Sequence, residues 1–521
     1  GALLRAYQAL VAGAIKVRWL TIAVTIACFV AALYLLQFVP RQFFPSSDRP
    51  ELLVNLTLRQ NASIHATETV VSRFEEILAK DEDVDHWSSY VGRGAIRFYL
   101  PLDVQLANPF FGQIVVVADD FDARLRLQPR LEKLLAEEFP NVVARISPLE
   151  LGPPVGWPLQ YRVSGSDKDE VMRIAQQVAG LMAQAPGARL VNFDWMEPAR
   201  QLKVRVDQEQ ARQLGVSSGT IAATINAAIS GTTVTQVRDD IYLVNVVARA
   251  VPEERMALDT LRSLQVPIPG GRTVPISQFT TFEYGDEFPI VWRRNRVSTL
   301  TVRADVNPGV LPDDVTAVLQ PRIDELNKTL PRGYRVELGG IAEESASSQA
   351  SVFAVVPLML LLMLTVLMFQ LQSFRRLFVI LAILPLSIIG VVLALLVFQR
   401  PLGFVAILGI LALLGMLAKN GVILVVQIDA DRASGMGVRD AVIAAASSRL
   451  RPLMLTALST VLGLIPIAPT VFWGPMAFAI MGGLLVGTLL MLIFLPCLYV
   501  IVFGDKPGEK PAAGATPVPA Q

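Results

Sequence analysis

The stretch Leu414-Gly-Met-Leu-Ala-Lys419-Asn420-Gly-Val-Ile-Leu424 decides the fold. It is an apolar run with one ammonium group near its centre. A charge in the middle of a bilayer costs at least about 2.5–3.5 kcal/mol. It persists only with a partner, a wet cavity or release of its proton. Lys419 is too far from the ends of the run to snorkel to the surface. A tolerated lysine at a helix interface is the plain reading, and an ion-coupling site is the functional one.

Working outward, the run belongs to 402–428, one of six apolar stretches long enough to span a membrane. A span needs roughly 20 apolar residues to cross about 30 Å of hydrocarbon. The others are 20–39, 351–369, 377–398, 452–468 and 476–503, so one span precedes a long polar interval and five follow it. Composition agrees: 53% of the 521 residues are hydrophobic and 17% charged, against about 25% charged in soluble domains. Lys+Arg 46 against Asp+Glu 45 removes the electrostatic case for a nucleic-acid binder. Two cysteines exclude a disulfide scaffold, and two histidines exclude a multi-histidine metal centre. No phosphate-binding Walker loop and no Ser/His/Asp arrangement stands out, so neither a cofactor nor covalent catalysis is expected.

Basic residues orient the spans. Arg5, Lys16 and Arg18 precede the first. Arg375 and Arg376 lie between the second and third, and Arg432, Arg439, Arg449 and Arg451 between the fourth and fifth. Lys506 and Lys510 follow the last. All fall on one side, which is therefore cytoplasmic; the opposite short loops hold only Arg400. The polar interval is then external, and since both Cys28 and Cys497 fall in spans it is cysteine-free, as suits a bacterial periplasm. Ahead of the first span, Leu3, Leu4, Tyr7, Leu10, Val11, Ala14 and Ile15 repeat at helical spacing, the pattern of an interfacial helix.

The expected architecture is a helical membrane domain of six spans, 1+5, with a large α+β external domain. In that domain, strand and helix signals alternate twice. The first round has strands at 51–58, 96–100, 112–118 and 142–146 and helices at 67–80 and 127–139. The second has strands at 158–164, 297–306 and 334–338 and helices at 169–185 and 313–326. Each resembles a split, ferredoxin-like βαβ unit. The divisions are an interfacial helix 1–19, a span 20–39, a first subdomain 40–152, a second made of 153–192 and 285–349, an insertion 193–284 read as a docking module, five spans 350–503, and a disordered tail 504–521.

The counter-charge for Lys419 is missing, because no Asp or Glu lies in the interior of a span. Asp429 ends the fourth, roughly 15 Å away at 1.5 Å per residue. Either another polypeptide or a preceding half provides the carboxylate. With Gly rather than Met at position 1, this points to half of a duplicated transporter, a piece of a longer or trimmed product. In the fifth span Arg449 and Thr456 are seven apart and share a helix face; surface anchoring and back-bonding are their plain readings. Gly483-Leu-Leu-Val-Gly487 has the spacing of close helix packing. Glu150, Trp157, Phe193 and Trp195 flank the junctions of the subdomains and are candidates for an apolar cleft, with Glu150 as its lone charge. The linker between the rounds, Gly152, Pro153, Pro154 and Gly156, suits a hinge.

Several motifs taken together, Phe43-Phe-Pro45, Val206-Asp-Gln-Glu-Gln-Ala-Arg-Gln-Leu-Gly-Val216, Ala418-Lys-Asn420 and Arg449-Leu-Arg-Pro-Leu-Met-Leu-Thr456, resemble the C-terminal half of a resistance-nodulation-division (RND) exporter over nearly the whole chain. The resemblance is to the hydrophobe/amphiphile (AcrB-like) branch, since the heavy-metal branch carries acidic residues in the fourth span. It implies a proton relay of Lys419, Asn420, Arg449 and Thr456 facing an Asp pair in an N-terminal half. It also implies two porter subdomains with Glu150 at their cleft, a homotrimer, a periplasmic adaptor, an outer-membrane channel and amphiphilic cargo moved against protons across the bacterial inner membrane. Two departures stand out. The glycine-rich switch loop is reduced to Gly92-Arg-Gly94, and Asn192 replaces a basic contact residue. A lipid- or protein-export relative and a non-transporting scaffold subunit are the alternatives.

Overall fold

The structure is a computed structural model that describes residues 2–40, 42, 44–195 and 197–504. Phe43 of the motif above, Lys506, Lys510 and the tail from 505 onward lie outside the described residues. Helix α1 (Ala2–Lys16) leads into α2 (Arg18–Leu35), the first apolar helix. Then comes a round of β1 (Glu51–Thr57), α3 (Ile64–Leu78), β2 (Val84–Val91), β3 (Phe111–Ala118), α4 (Phe121–Glu138) and β4 (Val143–Pro148). Its sheet runs β2-β3-β1-β4 with every neighbour antiparallel. Caps explain where its helices start. Ser63 accepts from the N–H of Ala66 at 3.2 Å, and Asp120 from that of Ala123 at 2.7 Å. Val71, Phe74 and Leu78 of α3 and Leu127, Leu131 and Leu135 of α4 cover one sheet face, on Leu52, Val54, Leu56, Ile114 and Val116.

The second strand of this round is a correction. Residues 96–100 form no strand; Ile96 and Leu100 are 65% and 80% exposed in a loop. The strand is β2, an edge carrying Asp85, His86, Ser88 and Ser89 and paired only with β3.

The second round repeats the topology. It starts with β5 (Leu159–Gly165), α5 (Lys168–Ala183) and β6 (Ala188–Phe193). The chain then makes a separate compact unit, Trp195–Val291. That unit holds β7 (Ala199–Val206), α6 (Gln208–Gln213), α7 (Ser218–Ile229), β8 (Thr232–Asp239), β9 (Tyr242–Ala248), α8 (Pro252–Met256), α9 (Leu258–Ser263), β10 (Gln265–Ile268), β11 (Arg272–Pro275) and β12 (Thr280–Glu287). β7 pairs with β12, and β10 and β11 close a hairpin on Gly270 and Gly271, both at positive φ. Val216, Ile221, Val266, Ile276 and Phe279 form its core. The β8–β9 hairpin is exposed along its whole length.

The round resumes with β13 (Arg293–Arg294), β14 (Val297–Val306), α10 (Pro312–Thr329) and β15 (Arg335–Gly339). Its sheet runs β13-β14-β5-β15, with β6 also on β14, all antiparallel. β15 then passes without a loop into α11 (Gly340–Leu371). Gly340 makes this possible: its φ is +70°, and a Cβ there would lie 2.6 Å from the Pro158 carbonyl oxygen. Glu343, in the first turn of α11, pairs with Arg162 of β5 at 2.5 Å and Arg294 of β13 at 3.4 Å.

The remaining helices are α12 (Phe374–Leu381), α13 (Ile388–Val397), α14 (Phe404–Ala433), α15 (Val438–Leu464) and α16 (Gly474–Phe503). Six helical segments are long and apolar enough to cross a membrane, with α12 and α13 counted as one interrupted at Pro385. α15 starts well before the expected 452, because its first turns carry Arg439, Asp440 and Arg449 and so escape a hydropathy reading. α16 is the hub, packed on α13, α14, α15, α2 and α1. Small residues let it approach closely: a Cβ on Gly390 would lie 2.1 Å from the Gly482 carbonyl oxygen, and one on Gly483 2.2 Å from Leu413 Cδ2.

Candidate functional site

Lys419 lies near the middle of α14. It shares an uncovered face with Leu408, Ala412, Gly415, Ile423, Val426 and Ala430, at spacings of three and four. Lys419 makes no hydrogen bond or ion pair among the described residues. Asn420 points the other way and is 3% exposed. Asp429 is committed elsewhere: its carboxylate lies 2.9 Å from Arg376 Nε and accepts from Tyr499 Oη at 2.8 Å.

Arg449 of α15 reaches α14. One terminal nitrogen donates to Gln427 Oε1 at 2.6 Å, and Gln427 Nε2 donates to Asp431 Oδ1 at 2.8 Å. The Nε of Arg449 is buried and unpaired among the described residues. The Thr456 hydroxyl is exposed and donates to its own helix at the Pro452 carbonyl, 2.7 Å. Back-bonding of this kind is common in membrane helices.

A cavity of about 560 Å³ opens between the two rounds and the first turns of α11. Its apolar wall includes Phe44, Leu125, Ile146, Val155, Val310, Leu311 and Ile341; its charged wall includes Glu132, Arg145, Glu150, Arg189, Asp305, Asp313 and Glu344. Glu150 is therefore not the lone charge of the cleft. Ion pairs cross from one round to the other. Arg145 of β4 is 3.4 Å from Asp305 of β14, and Arg189 of β6 holds Glu132 of α4 through contacts of 2.5 and 3.0 Å. Arg145 also lies 3.6 Å from Glu150, and Arg189 3.8 Å from Asp305. Burial pushes the Glu150 and Asp313 carboxyls above the usual carboxylate range; Arg145 opposes the rise at Glu150.

Of the four cleft candidates, only Glu150 lines this cavity. Trp157 has two guanidinium groups against its ring, Arg145 at 5.3 Å and Arg303 at 5.4 Å from the ring centroid. Phe193 lies half-buried in β6, and its carbonyl accepts from Arg303 at 2.9 Å. Trp195 is fully buried against the Phe288 ring in the separate unit. The expected hinge is packed: a Cβ on Gly152 would lie 2.6 Å from the Phe44 ring, and Gln160 Nε2 donates to the carbonyls of Val155 and Trp157, both at 2.9 Å. Among the described residues no group of three or more His, Cys, Asp or Glu side chains could hold a metal ion.

The fold is an apolar helix bundle joined to a twice-repeated α/β domain with a cavity between the repeats. Residues 2–503 match the profile of the AcrB/AcrD/AcrF family, and the chain belongs to that family of RND efflux transporters. It is 26% identical over 505 residues to the multidrug export protein AcrF of Escherichia coli (strain K12), covering 93% of this chain and 47% of that protein. It is 28% identical over 367 residues to the nickel and cobalt resistance protein CnrA of Cupriavidus metallidurans, covering 68% and 34%. The crystal structure of a heavy metal efflux pump superposes with a TM-score of 0.77 at 23% identity, covering 96% of this chain and 51% of that one. The chain spans about half the length of AcrF and less of CnrA. Relatives thus include both multidrug and metal pumps.

Proposed function

We propose that this chain forms half of a proton-driven pump that exports amphiphilic compounds from the bacterial inner membrane and periplasm. The observation that carries the reading is Lys419, exposed at mid-helix depth on an uncovered face of α14 with no counter-charge among the described residues. A carboxylate pair on a partner half, packed on this face, would complete the site and alternate between protonated and ionised states. Arg449 and Thr456 of α15 join Lys419 and Asn420 in the relay. Six spans in a 1+5 arrangement, two ferredoxin-like porter subdomains and a homotrimer are part of the same reading.

The cavity between the rounds is the cargo path. Its wall mixes apolar side chains with more carboxylates than guanidinium groups, which suits a cationic amphiphile better than a bare ion. Everted vesicles holding the full-length transporter should take up a cationic amphiphilic dye when their lumen is made acidic. Glu150→Gln should raise the KM for that dye by about three- to tenfold, the scale of one partly exposed charge, and leave a neutral amphiphile unchanged. Equal uptake with and without the gradient overturns the proton-coupled reading.

The separate unit serves assembly with a periplasmic adaptor and outer-membrane channel. Its β8–β9 hairpin carries Val234, Val237, Tyr242, Leu243, Val244, Val246 and Val247 exposed, more apolar surface than a hairpin left in water usually shows. Exchanging 233–249 for the same segment of a related pump should change which outer-membrane channel is accepted. A change in substrate range with partner choice intact would refute the assignment.

A further inference from the structure

Pro496 lies inside α16. Proline has no N–H, so the carbonyl of Leu492, four residues earlier, loses its helical donor. In hydrocarbon an unpaired carbonyl costs several kcal/mol, and something must fill it. The donor here comes from the other end of the chain: the Tyr7 hydroxyl of α1 donates to Leu492 O at 2.9 Å. The bond sits inside a small apolar cluster. Leu4 and Tyr7 of α1 pack with Leu450, Leu453 and Met454 of α15 and Leu492 of α16. Further along α1, Val11 and Ile15 are 0% and 3% exposed in the main core of the bundle. α1 is therefore pinned to the bundle, and its pinned end lies on the turns that follow Arg449.

We propose that Tyr7 is a positioning residue for the proton relay. Its hydroxyl ties α1 to α16 at the carbonyl that Pro496 leaves without a helical donor. α1 in turn holds Leu450 and Leu453, and so fixes the height at which Arg449 meets Gln427 across α14. This role rests on the transport reading above. It adds a residue that touches neither cargo nor proton and acts through Arg449.

The test compares Tyr7→Phe, which removes only the hydroxyl, with Pro496→Ala, which returns a backbone N–H donor to Leu492 O that competes with the Tyr7 hydroxyl. Both are made in the full-length transporter, with amounts matched by immunoblot. Each should lower gradient-driven dye uptake by about fivefold, the scale of one hydrogen bond. Each should also shift the pH profile of uptake, which a purely structural loss would not move. The double variant should be no worse than either single one. Wild-type rate and pH profile in Tyr7→Phe would overturn the proposal, as would defects that simply add. Lys419→Ala in the same assay separates the two failures: full activity there sinks the transport reading itself, whereas a dead Lys419→Ala beside a normal Tyr7→Phe sinks only the positioning role.

Discussion

Lys419→Ala abolishes export while the protein is made, inserted and assembled in normal amounts. The two halves of that expectation have different origins. Insertion does not suffer, because removing a charge at mid-span relieves a cost of at least about 2.5 kcal/mol. Packing within the chain does not suffer either, since Lys419 is uncovered and bonded to nothing among the described residues. Coupling fails because the ammonium is the only cation on the uncovered face of α14. Without it, a carboxylate site on the facing half has nothing on α14 to report whether it is charged. Dye uptake and drug survival, each normalised to membrane protein, read the effect. Full survival at normal expression would end the coupling role.

Gly390→Val removes most folded protein, the second large effect. α13 and α16 cross so closely that a Cβ on Gly390 would be 2.1 Å from the Gly482 carbonyl oxygen, and one on Gly482 would be 2.4 Å from that of Gly390. These obstacles are backbone, not flexible side-chain tips, so the helices must separate. Overpacking costs typically 1–3 kcal/mol even where side chains can shift, and about 3 kcal/mol or more is expected here. Detergent-extracted Gly390→Val should give little monodisperse protein. Gly463→Ala in α15 is the control: nothing lies within 4 Å of its Cβ position, and it should behave as wild type. Equal yields from the two would show that the crossing tolerates separation.

The apolar helices were legible because lipid imposes long uninterrupted runs, and β5 and β14 of the second round because they are long and largely buried, whereas β6 was missed because it is half-exposed and pairs with β14 through a register shift. What escaped reading has physical causes. β2 was missed because an edge strand needs few apolar residues, and its polar residues come as the adjacent pairs Asp85-His86 and Ser88-Ser89, which break the strand alternation. The alternation at 96–100 belongs to exposed loop residues and never reached a sheet. Trp157 looked like a cleft aromatic, yet two guanidinium groups lie against its ring. The pairs Arg145–Asp305 and Arg189–Glu132 leave no local trace, since each joins residues far apart in the chain. Pro496 and the carbonyl it leaves at Leu492 also went unread, and nothing local in the sequence links either to Tyr7, 485 residues from Leu492.

The loopless junction of β15 and α11 has a mechanical meaning. At 1.5 Å per residue, the 32 residues of α11 make a rod about 48 Å long. Its root is clamped by Arg162 and Arg294 on Glu343, and Gly340 packs so close to the Pro158 carbonyl that no side chain fits there. A rocking of the second sheet by about 5° would swing the far end of that rod by roughly 4 Å, by the same rise per residue. The helix is continuous from Gly340 to Leu371, so movement at the sheet is carried along it, and Pro357, which lacks an N–H, is the one place where that rod is weakened.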